Sequence, residues 1–313
     1  MARRRKGRPI HGWLVVDKPL GLTSTQAMAK ARHLLGAEKA GHGGTLDPLA
    51  TGVLPIAFGE ATKTVAYAMD GTKTYRFRVR WGEATPTDDC EGEVVATSPV
   101  RPTEAEIEAA LEGFVGEIEQ VPPRFSAIKL EGARAYDLAR AGEVVELAAR
   151  RVRIDAFHLV GVPDRDHADF EVDCGKGTYV RSLARDLALA LGTLGHVTLL
   201  RRLAVGRFTL DRAISLDDLA ALEQGAALER VLLPVETALD DIPALALTEP
   251  EAHRLRLGQA VALLRRQDRE RLDRLNSDPA GNGAVVLAVC DGKPVALVRV
   301  EGAEVRPMRV LNL

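Results

Sequence analysis

The segment Gly41–Leu54, "GHGGTLDPLATGVL", sets a single carboxylate, Asp47, between a glycine-rich stretch and an apolar run. Three chemistries compete for it. A loop of backbone N–H groups that cradles phosphate needs a closing Gly-Lys-Ser/Thr, or a G-x-G-x-x-G spacing before a helix, and "GHGGTLDP" has neither. A purely structural Asp47 starts a turn, because Asp-Pro is a frequent turn initiator and Asp tolerates turn conformations. A nucleophilic Asp47 is positioned by the rigid proline after it, and the glycines before it let a substrate approach the backbone closely. Spacing alone leaves the last two open.

A second chemistry is carried by cations. The formal net charge is -2, which does not announce nucleic-acid binding, but the average conceals basic clusters. These are Arg3, Arg4, Arg5, Lys6 and Arg8; then Arg150, Arg151 and Arg153; then Arg201, Arg202 and Arg207. Any one cluster alone reads first as a solvated face or a floppy tail, and several together shift the reading toward a polyanion. The 3 cysteines, Cys90, Cys174 and Cys290, form no C-x-x-C pair, so neither a zinc ribbon nor a disulfide framework is supported.

The elements that must position these groups are legible in part. "GWLVVDKPLG" reads as a strand from Gly12 to Val16 closed by a turn at Lys18, Pro19 and Gly21. "TSTQAMAKARHLLG" reads as a helix with Thr23 or Ser24 as its N-cap and Gly36 as its stop. After the Asp47 segment, Val53–Phe58 looks like a buried strand and Thr62–Met69 a short helix. In "KTYRFRVRWG", Tyr75, Phe77, Val79 and Trp81 alternate with Arg76, Arg78 and Arg80, the period-2 pattern of a half-buried strand. "TPTDDCEGEVV" supplies a turn and a return strand, suggesting a hairpin. Thr103 and Glu106 stand at capping-box spacing before a helix carrying Ile107, Ala110, Leu111 and Phe114 on one face. "VPPRFSAIKLEGARAYDLARAG" mixes a proline pair, a short strand and a brief helix, an excursion from the core. "RVRIDAFHLV", "ADFEVDCGKG" and "HVTLLRRLAVGRFTL" are strand-like. "TYVRSLARDLALALG" is helical, with Leu183, Leu187, Ala190 and Leu191 facing inward, and "SLDDLAAL" is a helix capped by Ser215. The irregular alternation predicts an α+β fold around a mixed, largely antiparallel sheet.

A chain of 313 residues exceeds what one core usually organises, and a composition shift places a boundary near residue 246. The tail then reads as an arginine-rich helical stretch, "RRQDRERLDRL", a loop, "SDPAGNG", and a hairpin turning at Asp291-Gly292. With 46% hydrophobic and 27% charged residues, the composition is that of a globular protein rather than a disordered one. No apolar run reaches the roughly 18 residues of a membrane span. The basic N-terminus lacks the apolar stretch of a signal peptide, so a cytoplasmic location is expected.

Beyond spacing, "GHGGTLDPLATGVL" resembles the catalytic motif of the bacterial tRNA pseudouridine-55 synthases, the TruB family, in which the aspartate of G-T-L-D-P is essential. "DKPLGLTS" is similar to the family's K-P-x-G-x-[ST] motif, and "KTYRFRVRWGEATPTDD" to its tyrosine-bearing strand. "PPRFSAIKLEGARAYDLARAG" is similar to its P-P-x-[YF]-S-A-x-K segment and substrate-gripping insertion, and "CGKGTYVRSLARDLALALG" to its G-T-Y-[IV]-R-[ST]-L motif. The motifs stand in the family's order over about residues 10–240.

The resemblance implies a pseudouridine-synthase-like fold over residues 1–246, an RNA-gripping insertion at about 121–152, and a small PUA-like β domain at 247–313. It implies isomerisation of uridine 55 in the T-arm loop of tRNA by a monomer that needs no cofactor and no metal. Asp47 is then the nucleophile, Arg181 its ionic partner, and Tyr75 the ring that stacks on an extruded uracil. His42 fills the space that flipped bases vacate in the T-loop, and Lys18 supports the catalytic loop. Gly44, Thr45, Lys129 and Tyr179 complete the implied substrate-binding set. Phe125 stands where relatives often have tyrosine, so any contact made by that hydroxyl is absent. Two rivals carry other chemistry: a tRNA-binding protein without catalysis, and a sugar-bond hydrolase, which usually needs two flanking acids.

Overall fold

The computed structural model describes residues 7–126, 129–130, 133–134, 147–222, 230–263 and 284–313. Arg3–Lys6, the expected brief helix within 121–142, the "RRQDRERLDRL" helix and the "SDPAGNG" loop lie outside the described residues.

The strand Gly12–Lys18 is apolar at four successive positions, Trp13 to Val16, because both of its faces are covered. Leu14 and Val16 join Leu54, Ile56 and Phe58 of Ala50–Phe58 in a core under the helices Ser24–Leu35 and Leu216–Ala221. Trp13 and Val15 point the other way, with Val53 and Ala57, into a second core. Alternate side chains on a strand point to opposite faces, so a strand buried on both reads as one continuous apolar run. The two strands are antiparallel neighbours from Gly12↔Phe58 to Lys18↔Gly52.

These two strands belong to an 11-stranded sheet. Its main path runs, in spatial order, through Ile214–Ser215, Gly12–Lys18, Ala50–Phe58, Gly195–Val205, Lys73–Trp81, His167–Cys174, Arg150–Asp164 and Gly116–Gln120. Ile214–Ser215 lies parallel to Gly12–Lys18, and Gly195–Val205 parallel to Ala50–Phe58. The other steps along the path are antiparallel, as expected of a mixed, largely antiparallel sheet. Phe77, Trp81, Phe157 and Phe170 form an aromatic cluster on one face, with Phe77 and Phe170 stacked at 5.4 Å. The helices Glu104–Leu111 and Val180–Ala190 pack there through Ile107, Leu111, Leu183 and Leu187.

Several expectations are corrected. The stretch after Trp81 makes no hairpin with Lys73–Trp81, whose neighbours are His167–Cys174 and Gly195–Val205. Its return strand is only Ala96–Thr97, paired with Glu83–Ala84 outside the main sheet. On the helix Val180–Ala190, Ala190 is exposed, and the inward stripe instead carries Ala184 and Ala188 beside Leu183 and Leu187. Arg202 is not part of a surface cluster: it is buried, 1% exposed. Adjacent residues on a strand face opposite ways, so Arg201 and Arg202 within Gly195–Val205 cannot share a face. Arg201 pairs outward with Asp17 at 2.7 Å.

A separate five-stranded sheet holds Ala244–Ala246, Val285–Cys290, Lys293–Glu301, Glu304–Val310 and Val261–Ala262, in that spatial order. The expected turn forms at Asp291 and Gly292, both with positive φ, 49° and 75°. Glu304–Val310 is a further strand that the sequence reading did not anticipate. This sheet has its own core and also places Leu287, Leu297 and Leu311 against Trp13 and Phe208. Among the bonds that tie the units are Lys63 Nζ to the Val310 carbonyl at 2.8 Å and the Asn312 amide to Glu60 at 2.7 Å.

Candidate active site

The backbone on either side of Asp47 is tied down by buried side chains. Arg202 donates to the carbonyls of Val53, Gly44 and Thr45 at 2.8, 3.2 and 3.4 Å. Ser24 clamps Leu46 from both directions: its hydroxyl accepts from the Leu46 amide at 2.7 Å and reaches the Leu46 carbonyl at 3.1 Å. Lys18 Nζ donates to the carbonyls of Leu22, Pro19 and Pro48 at 2.6, 2.9 and 3.4 Å, and the Gly21 amide meets Pro48 at 2.9 Å. The Ala50 amide closes the turn on the Asp47 carbonyl at 3.0 Å. With residues 44, 45, 46 and 48 anchored, the Asp47 side chain projects from a rigid loop.

Two glycines make these anchors possible. Gly44 has φ +117°, and a Cβ there would sit 3.4 Å from the Arg202 guanidinium. Gly52 has φ +100°, and a Cβ there would fall 2.1 Å from the Arg202 carbonyl. A side chain at Gly52 would therefore drive Gly195–Val205 away from Ala50–Phe58.

Asp47 Oδ2 lies 2.9 Å from Arg181 Nη2. Arg181 stands in the first turn of the helix Val180–Ala190 and is 5% exposed, and its Nη1 also lies 3.3 Å from Asp89 Oδ2. Nη1 also donates to the Thr87 carbonyl and Nη2 to that of Phe125, each at 3.0 Å. Asp89, 2% exposed at its side chain, is fixed by the Thr87 hydroxyl at 2.6 Å and the Glu91 amide at 3.0 Å. The stretch read as a hairpin turn is thus the segment that delivers a second carboxylate to Arg181.

Asp47 keeps 37% of its side chain open, toward a cleft of about 640 Å³. Burial of its surroundings is the largest influence on its carboxyl and pushes the pKa above the ordinary value. Arg181 opposes this most strongly, Asp89 adds to it, and Lys18 pulls it back. A permanently charged guanidinium at hydrogen-bond distance favours the ionised form of the carboxylate against that burial. Lys18 is itself lowered to about 8, first by burial and next by Arg202, with Asp47 opposing.

Tyr75, Gly44, Thr45, Tyr179, Arg181 and Arg202 line the cleft with Asp47. Burial raises the Tyr75 phenol above its usual pKa, and a hydrogen bond from Arg202 works against that rise. The resting hydroxyl therefore keeps its proton at neutral pH. Tyr179 is held by its backbone: its amide donates to Gln120 Oε1 at 2.8 Å and its carbonyl accepts from Gln120 Nε2 at 3.2 Å. Lys73, buried in the cleft wall and lowered to about 8 chiefly by burial, grips the Met69 carbonyl.

The structure thus brings Asp47, Tyr75, Arg181, Gly44, Thr45 and Tyr179 to one cleft and sets Lys18 behind the loop. His42 is elsewhere: it ends the short strand Ala40–His42, half-buried, paired with Ile56, and does not line the cleft. Lys129 lies in the two-residue strand Lys129–Leu130, and no side-chain geometry is described for it.

Sequence reading missed Asp89 and Gln120, the clamp that Ser24 makes on Leu46, and the structural role of Arg202. Thr23 proves to be the N-cap, which leaves the Ser24 hydroxyl free for Leu46. The Arg201-Arg202 doublet in a strand was itself a signal that one arginine must be internal. Asp89 and Gln120 carry no local signal, because their partners lie 92 and 59 residues away, at Arg181 and Tyr179.

Residues 32–180 match the family model of the TruB family pseudouridylate synthase N-terminal domain, and residues 181–240 that of the tRNA pseudouridylate synthase B C-terminal domain. A protein of Rhodospirillum rubrum named tRNA pseudouridine synthase B is 56% identical over 313 residues, covering 100% of both chains. One of Caulobacter vibrioides with the same name is 52% identical over 313 residues, again covering 100% of both. Among solved structures, an H/ACA RNP bound to a substrate RNA containing 2'-deoxyuridine matches with a TM-score of 0.71 at 23% identity, covering 100% of this chain and 92% of that one. A Cbf5-Nop10-Gar1 complex matches with a TM-score of 0.71 at 24% identity, covering 99% and 91%. At those identities the two structures establish the likeness of fold.

Proposed function

Because the chain belongs to the TruB family of pseudouridylate synthases, we propose that it isomerises uridine 55 in the T-arm loop of tRNA, with Asp47 as the nucleophile. The observation that carries this reading is a carboxylate on a rigid loop, paired to a buried arginine and open to a nucleotide-sized cleft.

The bond from ribose to uracil nitrogen breaks and a bond from ribose to carbon 5 forms; the hydrogen on carbon 5 leaves as a proton and nitrogen regains one. Atoms and electrons balance without an external oxidant or reductant. The uridine must leave the helical stack to reach Asp47, which costs a few kcal/mol, and stacking on the Tyr75 ring returns roughly 1 to 3 kcal/mol. Arg181 holds Asp47 in its reactive charge state. His42 meets the RNA outside the cleft, in the loop that the flipped bases leave.

In this reading the enzyme works as a monomer on the T-arm in the cytoplasm. The unit of the large sheet carries catalysis, residues about 121–152 grip the RNA, with Lys129 among their contacts, and the unit of the five-stranded sheet, which begins at Ala244 rather than after residue 246, forms a PUA-like RNA-binding domain. The hydrolase alternative is disfavoured by geometry. Its second acid would have to face the sugar, whereas Asp89 is sealed beneath Arg181 and Asp70, at the cleft's edge, is paired with Lys176.

The test is tritium release from tRNA labelled at carbon 5 of uridine. Asp47→Asn is expected to bind T-arm RNA and release nothing. Release at the wild-type rate would remove Asp47 from the mechanism, and free uracil in place of pseudouridine would make the enzyme a hydrolase.

A further inference from the structure

At the edge of the cleft, Lys176 Nζ lies 2.8 Å from Asp70 Oδ1, and both residues line the cavity that Asp47 faces. The pair joins two rims 106 residues apart in the chain. Its two ends differ in stiffness. Asp70 ends the helix Val65–Asp70, whose Met69 carbonyl is gripped by buried Lys73. Lys176 stands between Gly175 and Gly177, the latter at φ +86°, a backbone that turns readily. Both side chains are open to solvent, 70% exposed for Lys176 and 58% for Asp70, and an ion pair so exposed exchanges easily.

The charge balance of the rim gives the exchange a direction. Arg150 and Arg151 are exposed and line the same cleft. Among the described residues, the acids lining it are Asp47, which Arg181 holds, and Asp70. A nucleotide that enters brings a phosphodiester on each side of its sugar, and these stay near the mouth while the base goes in. Asp70 is the group such a phosphate meets first as a competitor for a cation.

The geometry points to Lys176 as a phosphate-binding residue that Asp70 holds in reserve: the carboxylate occupies the ammonium in the free enzyme, and a backbone phosphodiester of the RNA takes its place. Carboxylate and phosphodiester each present one negative charge and accepting oxygens, so Lys176 stays paired throughout. Asp70 returns to water, where an exposed carboxylate is well solvated. The device favours RNA that places a phosphate at the mouth over polyanions that merely approach it. This inference rests on the proposed RNA substrate.

The test is equilibrium binding of a T-arm stem-loop RNA, over a salt series, to wild type, Asp70→Asn, Lys176→Gln and the double variant. Asp70→Asn is expected to tighten binding about threefold, the scale of an exposed pair. Lys176→Gln is expected to weaken it by a similar factor and to make the slope of log affinity against log salt shallower by about 0.7 to 0.9, one phosphate contact. In the Lys176→Gln background, Asp70→Asn should change affinity by less than it does in wild type. An equal gain in both backgrounds would reduce Asp70 to a source of general repulsion and overturn the exchange. Unchanged affinity and slope in Lys176→Gln would remove the subsite. Wild type that fails to bind the stem-loop would instead remove the substrate reading on which the inference rests.

Discussion

Arg181 places one guanidinium nitrogen 2.9 Å from Asp47 and another 3.3 Å from Asp89. One buried cation thus serves two carboxylates, one open to the cleft and one sealed. The sealed carboxylate and the carbonyls of Thr87 and Phe125 hold the guanidinium in place. The open one is therefore met by a partner that does not need to reorganise when substrate arrives.

Removing that cation has a signed consequence. Burial already pushes the Asp47 carboxyl upward, and Arg181 is the strongest influence holding it down. In Arg181→Met the pKa of Asp47 rises further, so the acid limb of the kcat/KM profile moves to higher pH. Asp89 is left buried without its cation, and stability falls by about 3 to 5 kcal/mol. Arg181→Lys keeps the charge but loses the fork, so its acid limb stays nearer the wild-type position while kcat drops. A pH–rate series on the three proteins checks this; an unmoved acid limb in Arg181→Met would show that the pair does not set the charge of Asp47.

Ser24→Ala isolates the loop anchor. The variant leaves the Leu46 amide buried without its partner, a loss of about 1 to 3 kcal/mol by urea unfolding. Leu46 precedes Asp47 directly, so kcat should fall while RNA affinity holds. Ser24→Thr, which keeps the hydroxyl, should recover part of the rate; equal rates for Ser24→Ala and wild type would mean that the loop keeps its shape without this clamp.

Gln120→Leu tests the support beneath the helix that carries Arg181. Its amide pairs with both backbone groups of Tyr179, two residues before Arg181. Leucine fills much of the space and leaves both groups unpaired, so kcat should fall with little change in KM. Gln120→Glu retains the acceptor for the Tyr179 amide and should lie between the two. A loss confined to KM would assign Gln120 to RNA binding instead of positioning.

The local elements were legible because they obey local rules. Thr23 and Gly36 bound the first helix, the Thr103–Glu106 capping box starts another, and Asp291-Gly292 turns the last hairpin, each through contacts within a few residues. The strand Lys73–Trp81 announced its buried face by alternation. Asp47 was legible as a framed carboxylate with two open roles, and only its resemblance to a known motif singled out nucleophilic attack. Tertiary structure decided what no local pattern carries: that Arg202 is an interior strut, that a presumed hairpin turn delivers Asp89, that Gln120 holds Tyr179, and that Ser24 serves the loop 22 residues later. The physical reason is range. Caps, turns and alternation are settled by neighbours along the chain, whereas a buried charge or amide can be placed only by the partners that satisfy it, and those are brought from distant strands by the sheet.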